Sequence, residues 1–441
     1  MLWVDGVGDR LRRGDGAADT ASGSLTRNLP FARGLTLSIV TNRPLHAVLV
    51  SGSGEADRLS EPLARALDGT GPALLPLDPD LPAARLRQLF DVFQPTTIVD
   101  TDGEATVRSS SPGVYPDTAV IITTSGSTGE PKGVELSAAA LRHSARASMA
   151  RLGARPGERW LLCLPPSHVA GLQVLVRSLL SGTERGVAPA ATADALAASG
   201  CAHVSVVPTQ LVRLLDEPGG AQALAGFSSV LVGGAAAGAA VLDRARAAGI
   251  NAVTSYGMSE TCGGCVYDGV PLDGVRVRSD DEGRLRISGP VLLNRYFGRP
   301  DLTAAALVAG DRGAEFVTSD LGWVEGGAEG GRVVIRGRAD DVIITGGHKV
   351  IPGEVAAALS SCPGVREVVV VGRPDPEWGE RVTAVVVPAD PSDPPGLELL
   401  RIHVRGTLPR YASPSEVVLT ETIPVLPSGK PDLAALKKAR T

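Results

Sequence analysis

The chain has 441 residues, 43% hydrophobic and 21% charged, the balance of a soluble globular chain long enough for one large and one small domain, each with its own core. A net charge of −5 without a long basic run argues against nucleic acid as a partner. No stretch approaches the roughly 20 apolar residues of a membrane span and the N-terminus lacks the apolar core of a secretory signal, so a cytoplasmic location is expected.

Residues 1–28 are rich in Gly, Asp and Arg, lack apolar periodicity, and read as a variable leader. From Leu35 the pattern changes. Strand-like runs at 47–50, 161–164, 204–207, 230–232 and 252–254 alternate with helical stretches rich in Ala, Leu and Arg, predicting parallel sheets covered by helices on both faces. Around 284–288 and 332–335 the strands shorten and are punctuated by Gly and Asp, as in a small antiparallel, barrel-like subdomain. Beyond Asp340, helices near 352–361 and 397–407 and strands at 367–372, 381–387 and 416–419 make a compact α+β unit of about a hundred residues. The expected fold is therefore α/β, with a large N-terminal domain over 29–339 and a small mobile C-terminal domain over 340–441.

The five cysteines, Cys163, Cys201, Cys262, Cys265 and Cys362, are odd in number and dispersed, which argues against a disulfide framework. Cys262 and Cys265 form a Cys-x-x-Cys pair, but no second pair or histidine cluster accompanies it, and reduced, incidental thiols are expected.

Between a predicted strand, 118–122, and a predicted helix, 137–151, lies Thr-Thr-Ser-Gly-Ser-Thr-Gly-Glu-Pro-Lys-Gly at 123–133. Glycine lets backbone approach an anion, Ser and Thr hydroxyls donate to phosphate oxygens, and Lys132 adds positive charge. Thr124, Ser125, Gly126, Ser127, Thr128, Gly129 and Lys132 are thus candidate phosphate-binding residues. A Walker loop is excluded, because Glu130 and Pro131 separate Gly129 from Lys132 and Gly133 follows it. Flexible linkers seldom sit between strand and helix or end in Pro-Lys-Gly.

This loop resembles the signature of the acyl-adenylate-forming superfamily, which comprises acyl-CoA synthetases, luciferases and peptide-synthetase adenylation domains. Further segments follow in the family's order. In Tyr-Gly-Met-Ser-Glu-Thr (256–261) the resemblance assigns Thr261 to the α-phosphate and Glu260 to Mg²⁺, a hard cation suited to sit between phosphates and a carboxylate. It assigns Tyr256, Gly257 and the Gly233-Gly234 pair of the run 233–238 to the adenosine. Thr-Ser-Asp-Leu-Gly (318–322) differs from the family's Thr-Gly-Asp-Leu-Gly only at Ser319; Asp320 would take the ribose hydroxyls, an acceptor-only carboxylate on a diol. In Gly-Arg-Ala-Asp-Asp-Val-Ile-Ile (337–344), Arg338 would reach ribose or phosphate and Asp340 would be the hinge between domains. Gly346, Gly347 and His348 resemble the loop lining the tunnel for coenzyme A. Lys430, in Leu-Pro-Ser-Gly-Lys-Pro (426–431), would be the catalytic cation bridging substrate carboxylate and α-phosphate.

Two runs narrow the acid. Leu-Pro-Pro-Ser-His-Val-Ala-Gly-Leu-Gln-Val-Leu-Val-Arg-Ser (164–178) and Tyr-Gly-Met-Ser-Glu-Thr-Cys-Gly-Gly-Cys-Val-Tyr-Asp (256–268) resemble the actinobacterial branch of the o-succinylbenzoate-CoA ligases of menaquinone biosynthesis. That resemblance places His168 at the gate of the acyl site, with Gly257 and Met258 beside it. The acid carries two carboxylates, so a basic group is expected in its pocket. Arg177 is the candidate, since arginine grips carboxylate bidentately. It lies nine residues after His168 on one predicted helix, about 13 Å along the axis, so the two would bracket an elongated acid. The competing reading of Arg177 is an ordinary solvated or paired helix charge. The implied reaction is adenylation by ATP with Mg²⁺ and transfer to coenzyme A. Readings that compete with it are another aryl- or acyl-CoA ligase, an enzyme loading a carrier protein in trans, and an inactive nucleotide-binding paralogue. Oligomeric state, monomer or homodimer, stays open.

Overall fold

The computed structural model describes residues 42–108, 112–125, 130–326, 331–426 and 429–438, and the backbone of two short strands, Asn28–Pro30 and Thr36–Ser38. It divides into two compact units, Met1–Thr41 and Asn42–Thr441. In the first, the two strands pair antiparallel; the rest of the expected leader, residues 1–27, lies outside the described residues. The second unit carries four sheets.

The first sheet runs in the order Arg295–Tyr296, Pro131–Ser137, Thr118–Ser125, Ala73–Leu77, Leu45–Leu49, Thr97–Val99, Ala105–Val107. Its middle four strands are parallel and the outer ones antiparallel. In Ala73–Leu77 every side chain is buried, the near-continuous apolar run of a strand covered on both faces. One element departs from the sequence reading. The segment Pro131–Ser137 is a strand folded back on Thr118–Ser125, with Thr124 opposite Lys132, so the Gly-rich loop closes a hairpin and does not lead straight into a helix. Glu135 hides this strand in the sequence: it is buried among apolar neighbours, where the Thr118 hydroxyl donates to its carboxylate at 2.6 Å and Arg295 lies 3.5 Å away.

The helix Ala138–Arg151 follows, its first turn capped where the Ser137 hydroxyl accepts the Ala140 N–H at 3.1 Å. The helix Val169–Ser181 stops at Gly182, whose φ of 64° is the left-handed turn that ends a helix. Leu141, Leu172 and Val176 of these helices pack with Val120 and Ile122 of the first sheet and Trp160 and Leu162 of the second in one continuous core. Each such aliphatic side chain stabilises the fold by about 1.5–3 kcal/mol on burial.

The second sheet holds five parallel strands, Gly186–Val187, Trp160–Leu162, His203–Val206, Ser229–Val232 and Ala252–Met258, extended by antiparallel Gly263–Tyr267 and Val270–Pro271. The third is antiparallel throughout: Arg276–Ser279, Arg284–Ser288, Gly313–Glu325 and Leu307–Gly310 in order, with Arg332–Arg338 also on Gly313–Glu325. The fourth, beyond Asp340, pairs Val365–Asp375 with Gly379–Pro388 and adds Glu416–Leu419 parallel to the latter. Helices Pro352–Leu359 and Leu397–Arg405 contribute Val355, Leu359, Leu400 and Val404 to a core that this region keeps to itself. The α/β architecture expected from the alternation is the one observed.

Candidate active site

In an open parallel sheet the loops beyond the carboxyl ends of the strands form the crevice where ligands bind. Here Leu164 and His168 follow Trp160–Leu162, Val207 follows His203–Val206, Gly233 and Gly234 follow Ser229–Val232, and Glu260 follows Ala252–Met258. All of them line one cleft of about 700 Å³. Thr124 and Lys132 line it from the hairpin of the first sheet, Asp320 and Arg338 from the third sheet, and Lys430 from the C-terminal region. Residues up to 306 positions apart in sequence thus converge. Gly126, Ser127, Thr128, Gly129 and the side chain of Ser125 lie outside the described residues.

Asp320 and Arg338 face each other across paired strands and approach to 3.6 Å. The Tyr256 hydroxyl donates to Asp320 Oδ2 at 2.7 Å. Burial, reinforced by that carboxylate, pushes the phenol well above its ordinary pKa, so it stays a donor and fixes Asp320. Arg338 also donates to Asp340 at 3.1 Å, tying the expected hinge residue to the same cluster. Glu260 is oriented in the same manner: the buried Tyr296 hydroxyl donates to its Oε1 at 2.8 Å. Tyr296 carries no motif of its own and stands 36 residues from Glu260, so nothing local in the sequence signals the pair. Gly257 and Met258 line the cleft as expected, and a Cβ on Gly257 would strike the Gly263 carbonyl.

Thr261, expected at the α-phosphate, is placed differently. Its side chain is fully buried; the hydroxyl accepts the Met258 N–H at 2.9 Å and donates to the Gly263 carbonyl at 2.7 Å, closing the turn that presents Glu260. Gly346, Gly347 and His348 form a turn outside the cleft, where the imidazole stacks on Tyr411 at 4.3 Å. Lys430 is exposed and held at the cleft by a tight turn in which the Leu426 N–H donates to the Lys430 carbonyl and the Gly429 N–H to the Leu426 carbonyl, both at 2.8 Å. Gly429 has a φ of 78°, and a Cβ on it would sit 2.7 Å from Val207 Cγ2. Gly429→Ala is accordingly expected to shift the lysine away from the cleft and slow adenylation about 10- to 100-fold. Acid-dependent ATP–pyrophosphate exchange measures this, and an unchanged rate would show that the turn tolerates displacement.

His168 stands directly before the helix Val169–Ser181 and Arg177 in its third turn, both lining the cleft. Burial lowers the His168 pKa; Lys430 lowers it further and Asp78 opposes, which favours the neutral imidazole at pH 7. Arg177 is no solvated surface charge. It is 3% exposed, and its guanidinium meets only neutral groups: Nη1 donates to Ser148 Oγ at 3.0 Å, Nη2 lies 3.5 Å from Ser205 Oγ, and Cζ sits 4.3 Å from the centre of the Trp160 ring. Its Nε has no hydrogen-bond partner, nor has the buried Oε1 of neighbouring Gln173. No carboxylate among the described residues pairs with it. Burial pulls the Arg177 pKa down, with Tyr267 opposing, yet a guanidinium keeps its charge in any protein environment. The buried end of the cleft is therefore an uncompensated cation walled by Ser144, Gln173, Ser205 and Tyr267. Cys262 and Cys265 are free and fully buried; burial holds both thiols up, Cys265 at about 12, so neither is a nucleophile at neutral pH.

Residues 108–297 match the AMP-binding enzyme family and residues 354–430 the AMP-binding enzyme C-terminal domain. The chain belongs to the AMP-binding enzyme family. Within it, a probable 2-succinylbenzoate–CoA ligase of Mycobacterium tuberculosis is 46% identical over 332 residues, covering 73% of this chain and 84% of that relative. A 2-succinylbenzoate–CoA ligase of Listeria monocytogenes is 30% identical over 358 residues, 78% of this chain and 74% of that relative. Among solved structures, o-succinylbenzoate CoA synthetase (MenE) from Bacillus subtilis in complex with its acyl-adenylate intermediate aligns with a TM-score of 0.73 at 25% identity, over 91% of this chain and 89% of that one. ATP-bound MatB from Rhodopseudomonas palustris aligns with a TM-score of 0.75 at 24% identity, over 92% and 90%, a likeness of fold.

Proposed function

We infer that this chain is an AMP-forming acid–thiol ligase that activates 2-succinylbenzoate and passes the acyl group to coenzyme A, in menaquinone biosynthesis. The observation that carries this reading is the buried, carboxylate-free Arg177 at one end of a cleft whose other walls hold Glu260, Asp320 and Lys430. An acid with a single carboxylate leaves that cation unpaired. A dicarboxylic acid satisfies it while presenting its second carboxylate for reaction, and the named relatives point to the same acid.

In the first step a carboxylate oxygen of the succinyl arm attacks the α-phosphorus of ATP, and the bond to the bridging oxygen breaks as pyrophosphate leaves with the electron pair. Asp320, held by Tyr256 and flanked by Arg338, takes the ribose hydroxyls; Gly233 and Gly234 back the adenine; Thr124 and Lys132 lie on the side of the β- and γ-phosphates. Lys430 neutralises charge building between carboxylate and phosphate. In the second step the thiol sulfur of coenzyme A attacks the acyl carbon and AMP departs. Lys430 lies in the cleft while the turn at Gly346, Gly347 and His348 lies outside it, an arrangement that supports assigning this orientation to the first step, with rotation about Asp340 before the second.

Among the described residues no group of three His, Cys, Asp or Glu side chains is placed to hold a metal. A lone carboxylate fixed by a tyrosine fits Mg²⁺, which takes one or two protein carboxylates and completes its shell with phosphate oxygens and water. Glu260 would hold it, and bound there it would shield the triphosphate charge. All three substrates are charged and water-soluble, which supports the expected cytoplasmic setting, and among the described residues no helix is long and apolar enough to cross a membrane. The reading is tested by acid-dependent thioester formation with 2-succinylbenzoate against benzoate, fatty acids and amino acids. Equal or better turnover of another acid would replace the substrate; no turnover and no ATP–pyrophosphate exchange with any acid would replace the activity.

A further inference from the structure

Arg177 reaches the cleft, as does its partner Ser205, but two of the groups that hold it, Trp160 and Ser148, do not. Trp160 is 1% exposed in the core between the two parallel sheets and is absent from the lining of the cleft, as is Ser148. The indole touches the guanidinium at 4.3 Å and stacks on the imidazole of His203, ring centres 4.4 Å apart and planes 26° apart. His203 is itself immobilised through both ring nitrogens, by Ser229 Oγ at 2.8 Å and Glu158 Oε2 at 3.0 Å. Strand pairing accounts for the stack, since His203 is the register partner of Trp160 on the adjacent parallel strand and the two side chains leave the sheet on the same face. Ser148 Oγ, which accepts from Arg177, is in turn bonded to the Tyr267 hydroxyl at 2.8 Å.

We propose that Trp160 is a positioning residue for the acid, its indole holding the Arg177 guanidinium by the face so that the edge donors not bonded to Ser148 and Ser205 stay free to grip a substrate carboxylate. The inference rests on the reading of Arg177 given above. A long flexible side chain with an unpartnered Nε needs something to fix it. A carboxylate would fix it through its edge donors and cancel its charge, leaving nothing for the substrate. An aromatic ring attracts the cation through its quadrupole and engages only the planar face. The five N–H donors lie in the plane; one on Nη1 meets Ser148 and one on Nη2 meets Ser205, while Nε–H has no partner. Trp160 thereby orders the arginine without competing for it. The chemical class this selects is an acid with a second carboxylate remote from the one that is activated.

Steady-state thioester formation with the full chain tests this on two acids, 2-succinylbenzoate and 4-oxo-4-phenylbutanoate, which is the same molecule without its ring carboxylate. Trp160→Leu is expected to raise KM for 2-succinylbenzoate about tenfold, the loss of a desolvated cation–π contact. It should leave kcat at saturation, KM for ATP and both constants for 4-oxo-4-phenylbutanoate within about twofold. Trp160→Phe keeps an aromatic face and should restore most of the lost affinity, and Ser148→Ala should give a smaller rise confined to the diacid. A merely structural tryptophan would affect both acids alike, and that outcome, or Trp160→Phe as poor as Trp160→Leu, overturns the proposal. Should Trp160→Leu fail to fold, Trp160→Phe and Ser148→Ala decide by the same diacid-only criterion. Arg177→Leu is the separating arm. If it abolishes the preference for the diacid while the Trp160 variants do not, only the positioning role is lost; if it leaves the preference intact, the ring carboxylate is bound elsewhere and both readings fall.

Discussion

Lys430→Ala is expected to lower acid-dependent ATP–pyrophosphate exchange by about 10²- to 10³-fold, the cost of removing one preorganised group from a site of developing charge. Conversion of preformed acyl-adenylate to thioester by coenzyme A should stay within a few-fold of the unaltered protein. The asymmetry follows from geometry. Lys430 is the one residue of the C-terminal region beyond Leu426 that lines the cleft among the described residues, and it arrives there on a turn seated against Val207. The turn at Gly346 and Gly347 belongs to the same region and faces elsewhere. On the proposed reading this orientation serves the first step through Lys430, and the turn at Gly346 and Gly347 would serve the second after the region rotates. Equal loss in the two half-reactions would remove the lysine from its assigned step.

Arg177→Leu is expected to lower kcat/KM for 2-succinylbenzoate by about 10²-fold or more, the usual consequence of deleting one member of a desolvated charge pair. Turnover of 4-oxo-4-phenylbutanoate should change little. Leucine retains an apolar stem beside Trp160, which belongs to the core that also holds Leu172 and Val176. Arg177→Lys should recover only part of the loss, because an ammonium offers neither the bidentate fork nor the flat face that Trp160 engages. Equal damage to both acids would identify a collapsed pocket in place of a lost contact.

Much of this candidate cleft was legible through the family resemblance, because its members sit in short, composition-biased turns that follow in the family's order: Gly233-Gly234, the stretch around Glu260, Asp320, Arg338 and the turn before Lys430, each weak alone, all line it. Three features were not legible, for separate reasons. The strand Pro131–Ser137 carries Glu135 at a buried position, and a charge in the apolar pattern conceals a strand when its partners, Thr118 and Arg295, come from elsewhere. The turn at Thr261 has the expected residues, yet the hydroxyl is spent on the backbone of its own turn, a choice that depends on the left-handed φ of 54° at Cys262. The setting of Arg177 was open between pocket and surface. What decides it is contact with Ser148, 29 residues away, and with Trp160 on a neighbouring strand, which no local periodicity reports.

A buried cation among neutral groups also bears on how long the molecule survives. Transferring a charge from water into a protein interior without a counter-ion works against folding, so the empty chain keeps a weak point in the core that joins its two parallel sheets. On the reading proposed for Arg177, the second carboxylate of the acid would supply the missing counter-ion, in effect a core side chain that arrives from solution. By linkage, a ligand at a hundred times its dissociation constant adds about 2.7 kcal/mol to a fold that binds it only when native. The protein would then persist where its acid is abundant and open more often to proteolysis where it is scarce, tying the quantity of enzyme to the supply of what it consumes.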